Sequence, residues 1–188
     1  MSAFLGRLVR DCLAASAERD APERVAAVLR DAIARPEVTE LSRDEEEVCL
    51  HRSQGLTLMS IRQTPNVLFP PHDHGMVAVI ATYDGREIAK YFRLSSHGVA
   101  EVGETAIEAG DVRIFPPHAI HAVANVGERH SRAIHAYLGD LVTQARSIWD
   151  PVSGEREPYS DEAYFRLARP YDPAKPFQRP TTSFAHSV

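Results

Sequence analysis

A mainly β domain, sandwich or barrel, preceded by two helices and followed by a proline-rich extension, is what this chain of 188 residues predicts. Three observations carry the prediction. From about Val48, short runs rich in Val, Ile, Leu, Thr and aromatics are punctuated by Gly, Pro and Asp at intervals of roughly ten residues, as in all-β folds. Ahead of them, apolar residues recur at helical spacing. After Trp149 the chain turns polar, with prolines at 151, 158, 170, 173, 176 and 180.

The helical part covers residues 2–34. Phe4, Leu5, Leu8, Val9, Cys12 and Leu13 form one apolar stripe, and Val25, Val28, Leu29 and Ile33 repeat it. Between them Asp20 stands as an N-cap, Pro22 falls in the first turn and Glu23 at the third helical position, so two helices are expected. Pro36 ends the second. The strand runs follow as VCLHR, LTLMSIR, MVAVIATY, EIAKYFR, GVAEV, TAIEA, DVRIF, IHAVANV and RAIHAYLG. Asp84-Gly85 is the dipeptide of a two-residue primed turn and predicts a hairpin, while Gly110-Asp111 marks another turn. In the extension, DEAYFRLA at 161–168 predicts a short helix, and the aromatics up to about Phe177 favour a segment that wraps the domain surface. The expected organisation is a single domain of helices (residues 1–40), barrel (41–150) and wrapping tail (151–188).

Composition excludes several function classes. A hydrophobic content of 44% and a charged content of 25% are ordinary for a globular protein. A formal net charge of −5 lacks the basic footprint of a nucleic-acid binder. No apolar run approaches the roughly 20 residues that span a bilayer. The charged N-terminus has no small-residue cleavage site, and Cys12 and Cys49 sit in dissimilar segments with no disulfide framework. Two reduced thiols in a cytoplasmic protein are the expectation, with no nucleic-acid or membrane partner.

The chemistry lies in the histidines. His72 and His74 in PPHDHG are one residue apart, and strand side chains alternate faces, so an extended HxH points both imidazoles the same way, with Met76, Ala78 and Ile80. His121 follows in GDVRIFPPHAIHAVAN, where Gly110, Pro116, His121 and Asn125 stand in the order G-x5-P-x4-H-x3-N. Three imidazoles on two strands would make a facial site for one cation, with coordination positions left open for substrate. Imidazole suits Fe, Zn, Ni and Cu.

These two motifs together resemble those of the cupin superfamily, in which HxH and the later histidine bind a metal inside a jelly-roll barrel, the double-stranded β-helix. The carboxylate usual after HxH is absent, since positions 78–80 read Ala-Val-Ile. A three-His site without it is similar to the thiol dioxygenase branch, which includes cysteine and 3-mercaptopropionate dioxygenases. That resemblance implies Fe(2+) on His72, His74 and His121, with Ni, Mn or Zn as possible occupants on purification. It implies that His135 and Tyr137 of RAIHAYLG act beside the iron, and that a small thiol and O2 are the reactants. It also implies an arginine for the substrate carboxylate, for which Arg52 is chosen over Arg62 because it shares a strand face with Val48 and Leu50, taken as the inward face. The chain departs from the Ser-x-His-x-Tyr pattern at Ala133, with Ser131 one same-face step away. The cysteine that some members crosslink to the tyrosine would fall near Val79, and His118 replaces the usual glycine of the second motif. The function expected is oxidation of a small thiol carboxylate to its sulfinic acid. Alternatives are another three-His dioxygenase, such as one cleaving a β-diketone, and a non-catalytic cupin sensing a metal or small anion. Monomer and homodimer both remain open.

Overall fold

The computed structural model describes residues 2–42, 44–95 and 98–174. Helix α1 (Ala3–Ser16) starts on Ser2, whose hydroxyl accepts from the Leu5 amide at 3.2 Å. Helix α2 (Ala21–Ile33) starts at Asp20, as expected, but the Asp20 carboxylate makes no cap bond. It takes Arg24 Nε at 3.0 Å, one turn on. A 3₁₀ turn at Pro36–Leu41 leads into the strands.

The strands are β1 (Glu47–Arg52), β2 (Thr57–Gln63), β3 (Val67–Leu68), β4 (Ala78–Asp84), β5 (Arg86–Ser95), β6 (Gly98–Glu108), β7 (Val112–Phe115), β8 (Ile120–Asn125) and β9 (Ser131–Tyr137). After them come β10 (Ser147–Trp149), β11 (Arg156–Pro158), helix α3 (Asp161–Arg166) and β12 (Arg169–Pro170). One five-stranded antiparallel sheet has the order β1-β2-β9-β4-β7, and a second has the order β12-β3-β8-β5-β6. From β3 to β9 the chain passes repeatedly between the two sheets, which is the winding of a double-stranded β-helix. The extension closes on this barrel, because β12 pairs with β3 and β10 with β11. The tail beyond residue 174, His97 and His186 lie outside the described residues.

Two turn readings change. Asp84-Gly85 does not close a hairpin, since β4 belongs to the first sheet and β5 to the second. Gly85 is needed for a corner: φ is +82°, and a Cβ there would meet Ser131 Cα at 2.7 Å. The runs GVAEV and TAIEA are one strand, β6, which follows β5 through a register shift at Tyr91 and Phe92.

Both faces of the first sheet are covered. On one face Val79, Ala81, Ile134, Ala136 and Leu58 pack with Leu8, Val25 and Leu29 of the helices. On the other, Ala78, Ile80, Ala133 and Tyr137 join Met76 and Phe115 inside the barrel. Alternation along β4 and β9 therefore sorts residues between helix side and barrel interior, not between core and water. The Ser60 hydroxyl donates to the Leu41 carbonyl at 2.9 Å and ties the 3₁₀ turn to β2. Cys12 is buried in this layer, its thiol pushed up to about 12 by burial and the neighbouring Asp11. Among the described residues no helix is long and apolar enough to cross a membrane.

Leu29 is fully buried between the helices and the sheet. Leu29→Ala should cost about 2–5 kcal/mol in chemical denaturation, and a loss below about 1 kcal/mol would show that the helical layer contributes little to the fold.

Candidate metal centre

His72 and His121 face one another across an antiparallel bridge, exchanging both backbone hydrogen bonds at 3.0 Å. The bridge sets their rings side by side, with centroids 4.6 Å apart. His72 is also bridged to Ile148, so it lies between β8 and β10. His74 comes from the same extended segment, its ring 5.2 Å from His72 and 4.9 Å from His121. The regular strand expected to run on from His74 is interrupted. Gly75 adopts φ +64°, and β4 begins only at Ala78. A Cβ on Gly75 would meet the Ala145 carbonyl oxygen and Gln144 Nε2, both at 2.7 Å. The left-handed turn is thus what seats His74.

The three histidines are buried, and one nitrogen of each lies within 4.8 Å of the others. His72 Nδ1–H donates to the Pro70 carbonyl at 3.0 Å, which fixes the tautomer and leaves Nε2 bare. His121 Nδ1 is buried without a hydrogen bond. The Ala119 carbonyl favours a proton there, but its geometry falls short of a bond. Burial holds His72 down at about 4, with the Arg146 charge adding to the effect. His74 and His121 are pushed well below 6.5, first by burial and then by the other rings of the cluster. All three are therefore neutral at physiological pH, with lone pairs available. This donor set fits a borderline divalent cation: three neutral nitrogens and no carboxylate in the group.

Around them is a cavity of about 40 Å³, whose lining also includes His135, Tyr137, Arg146, Tyr159 and Tyr164. Strand β9 aims His135 and Tyr137 inward, as the alternation predicts. Their Nδ1 and hydroxyl share a hydrogen bond of 3.0 Å. Burial holds His135 at about 3 and raises Tyr137 above the ordinary phenol range, so the pair is neutral. Ala133 is buried on the same face. Ser131 does not replace the missing hydroxyl beside His135, because its Oγ donates to Glu87 at 2.5 Å. Glu87 itself is buried and pushed up to about 7 by desolvation.

Arg52 is not at this site. Its guanidinium grips Asp140 with Nε and Nη2 at 2.8 and 3.0 Å on the protein surface. The face assignment failed because alternation along β1 breaks at a bulge between Cys49 and His51. Leu50 packs against the helical layer, Glu47 and Cys49 line an outer vestibule of about 400 Å³, and Arg52 lies opposite Thr57 and turns to Asp140. Arg62 is engaged too, its Nη1 lying 3.0 Å from His130 Nε2, and His118 is exposed in the turn before β8.

Several site residues were not singled out from the sequence: Arg146 at the end of the barrel region, Phe115 in the DVRIF strand, and Tyr159 and Tyr164 in the extension, Tyr164 on its expected short helix. Arg146 lies over the Tyr159 ring, its guanidinium carbon 3.7 Å from the centroid. No carboxylate among the described residues lies within ion-pair range of it. Tyr164 of α3 stacks on Phe69 with centroids 4.7 Å apart, and meets the His72 ring edge-on at 5.3 Å. Phe115 stacks on His121 at 4.5 Å and backs that ring from outside the chamber. Glu47, Arg146, Tyr137 and Tyr159 line both the chamber and the vestibule, so they form the neck between them.

No family model matches this chain, and no curated protein does. Solved structures do. An E162A mutant of Bacillus subtilis oxalate decarboxylase is 18% identical over 53% of this chain and 25% of that chain, with a TM-score of 0.43. This chain thus spans about a quarter of that protein's length. An uncharacterized conserved protein with a double-stranded beta-helix domain from Klebsiella pneumoniae is 16% identical over 59% of this chain and 92% of its own, also at 0.43. Peruvianin-I, a cysteine peptidase from Thevetia peruviana latex, is 16% identical over 50% and 55%, at 0.41. At such identities and scores the chemistry rests on the residues themselves.

Two outcomes follow from the geometry. Gly75→Ala should destabilise the protein by about 1–2 kcal/mol or more from the left-handed strain alone, and should lower metal stoichiometry with it. Retention of one tightly held metal per chain would contradict the role given to this turn. The second outcome concerns pH. The unfolded chain takes up protons on His72 and His135 near pH 6.5, the folded chain only near 4 and 3. Between those values the unfolded state holds more protons, so stability rises with pH there. Metal-free protein should keep its full stability above about pH 6.5 and lose it progressively as pH falls towards about 3. Denaturation midpoints that do not change across this window would show that the rings are not buried neutral.

Proposed function

We propose that this protein is a metal-dependent dioxygenase, with iron as the metal, that oxidises a small thiol carboxylate to its sulfinic acid. The observation that carries the reading is a single cavity in which three neutral imidazoles meet a hydrogen-bonded Tyr137–His135 pair and an arginine that forms no ion pair among the described residues. The overall change is R–SH + O2 → R–SO2H: the O–O and S–H bonds break, two S–O bonds form, and sulfur is oxidised as dioxygen is reduced.

His72, His74 and His121 would hold the divalent cation, and without a carboxylate ligand the cation keeps its full positive charge. When bound, it lowers the thiol pKa and brings thiolate and dioxygen together at one centre. The protein's own groups do the rest. Arg146 in the neck is shaped for two-point grip of a carboxylate, and its stacking on Tyr159 pre-orients the guanidinium. His135 Nδ1–H, donating to the Tyr137 oxygen, would leave the phenol proton free to point into the chamber. Tyr137 stays protonated because burial opposes its ionisation, so it serves as a donor to developing negative charge. Val123 gives the chamber an apolar wall, and Phe115 packs against the His74 and His121 rings and holds them in place. A three-His enzyme acting on an uncharged diketone would have no use for Arg146 in the neck.

Oxygen uptake by the iron-loaded protein, with stoichiometric sulfinate from cysteine or 3-mercaptopropionate, tests the reading. Tyr137→Phe should retain metal and lower kcat about a hundredfold or more. Arg146→Gln should raise KM about tenfold or more, while Arg52→Gln leaves kcat/KM unchanged. No thiol-dependent oxygen uptake, or a loss on changing Arg52 that matches the loss on changing Arg146, would overturn it.

A further inference from the structure

Among the described residues Glu47 is the one acidic side chain that lines the metal chamber, and it lines the vestibule as well. Its place is set by register. Glu47 pairs with Ile61 on β2, itself a wall residue of both spaces, and the alternation of β1 puts Cys49 on the same side. The neck therefore presents opposite charges, Glu47 from β1 and Arg146 from the segment before β10. No ion pair joins them among the described residues, and Arg146 lies on the Tyr159 ring, although its charge still reaches Glu47 and favours the ionised carboxylate. Asp161 stands beside Glu47 in the vestibule and adds negative charge on that side. Two opposite charges held apart at the mouth of a small chamber recognise a ligand that itself carries both.

We infer that Glu47 is a specificity-determining residue that binds a positively charged amino group of the thiol substrate, opposite the carboxylate held by Arg146. The inference rests on the thiol dioxygenase reading of this cavity. It adds a charge-reading role for a residue outside the metal, proton-transfer and carboxylate-binding groups. Placed across the neck, the carboxylate selects for the amine electrostatically and discriminates against thiol acids that lack one, whose single negative charge it repels. Although Glu47 keeps contact with solvent at the edge of β1, desolvation by the neck and the Asp161 charge raise its pKa, and the Arg146 charge opposes them. A bound ammonium adds to that opposition, so ligand binding and ionisation of Glu47 favour each other.

The probes are cysteine and 3-mercaptopropionate, which differ by the amino group. Two measurements are made on the full chain: oxygen uptake with the iron-loaded protein, and calorimetric affinity with the cobalt-loaded protein in the absence of oxygen. The wild type should favour cysteine in both. In Glu47→Gln the cysteine values should fall about tenfold more than those for 3-mercaptopropionate, as expected for loss of a charge-assisted hydrogen bond. Glu47→Lys should invert the preference. Equal losses for both thiols, or a wild-type preference for 3-mercaptopropionate, would overturn the assignment. An affinity preference that shifts as described without any oxygen uptake would uphold Glu47 and sink the dioxygenase reading. Uptake with a preference that ignores position 47 would do the reverse.

Discussion

The reciprocal backbone pairing of His72 and His121 is the constraint on which the rest of the site depends. An antiparallel pair that exchanges both hydrogen bonds fixes where its two side chains leave the backbone, and the Pro70 carbonyl on His72 and the Phe115 ring on His121 then hold the imidazoles. Two imidazoles are set side by side before any metal arrives. The third ligand needs only a two-residue step along the same segment and a turn at Gly75 to stop there. Such a site is built by the sheet rather than by loop closure, so little ordering entropy is lost when a cation binds.

Burial makes this arrangement chemically useful. Unpaired imidazoles inside a barrel cannot carry protons without losing solvation, so the cluster stays neutral and available for ligation. The same desolvation keeps Tyr137 protonated and His135 neutral, which gives two uncharged hydrogen-bonding groups beside the ligands. Charge is confined to the neck, where Glu47 and Arg146 meet the vestibule. The division between a neutral chamber and a charged neck follows from which segments contribute. The barrel strands β8 and β9, with the His72–His74 segment, build the chamber. The rim is built by β1 at the sheet edge and by the segments around β10 and α3.

The sequence was most readable where backbone periodicity decided the outcome. The helical stripes around Leu8 and Leu29, the inward set Ala133, His135 and Tyr137, and the company of His72 with His121 all follow from spacing and burial. It was least readable where one buried face had to be told from another. Leu50 looked like barrel interior and packs under the helices, and a bulge in β1 that strict alternation does not show puts Arg52 on the other face. Glu47 stayed hidden because an exposed acid on an edge strand is ordinary, and nothing local shows that its side of β1 faces the neck. Asp84-Gly85 had the composition of a hairpin, but the sheet to which each flanking strand belongs is a long-range property that a dipeptide does not encode. Arg146 sat between the last two strands of the barrel region with no pattern to mark it, and Tyr159 and Tyr164 sat in the proline-rich extension. Their only local hint was the density of aromatics, which spoke for packing and not for a site.

The central claim is that three imidazoles from two strands hold one cation. X-ray absorption of the iron-loaded protein measures this directly. The account predicts three nitrogen neighbours whose outer-shell scattering is that of imidazole rings, reduced to two in His121→Ala. A first shell made mainly of oxygen, or one unchanged by removal of His121, would contradict it.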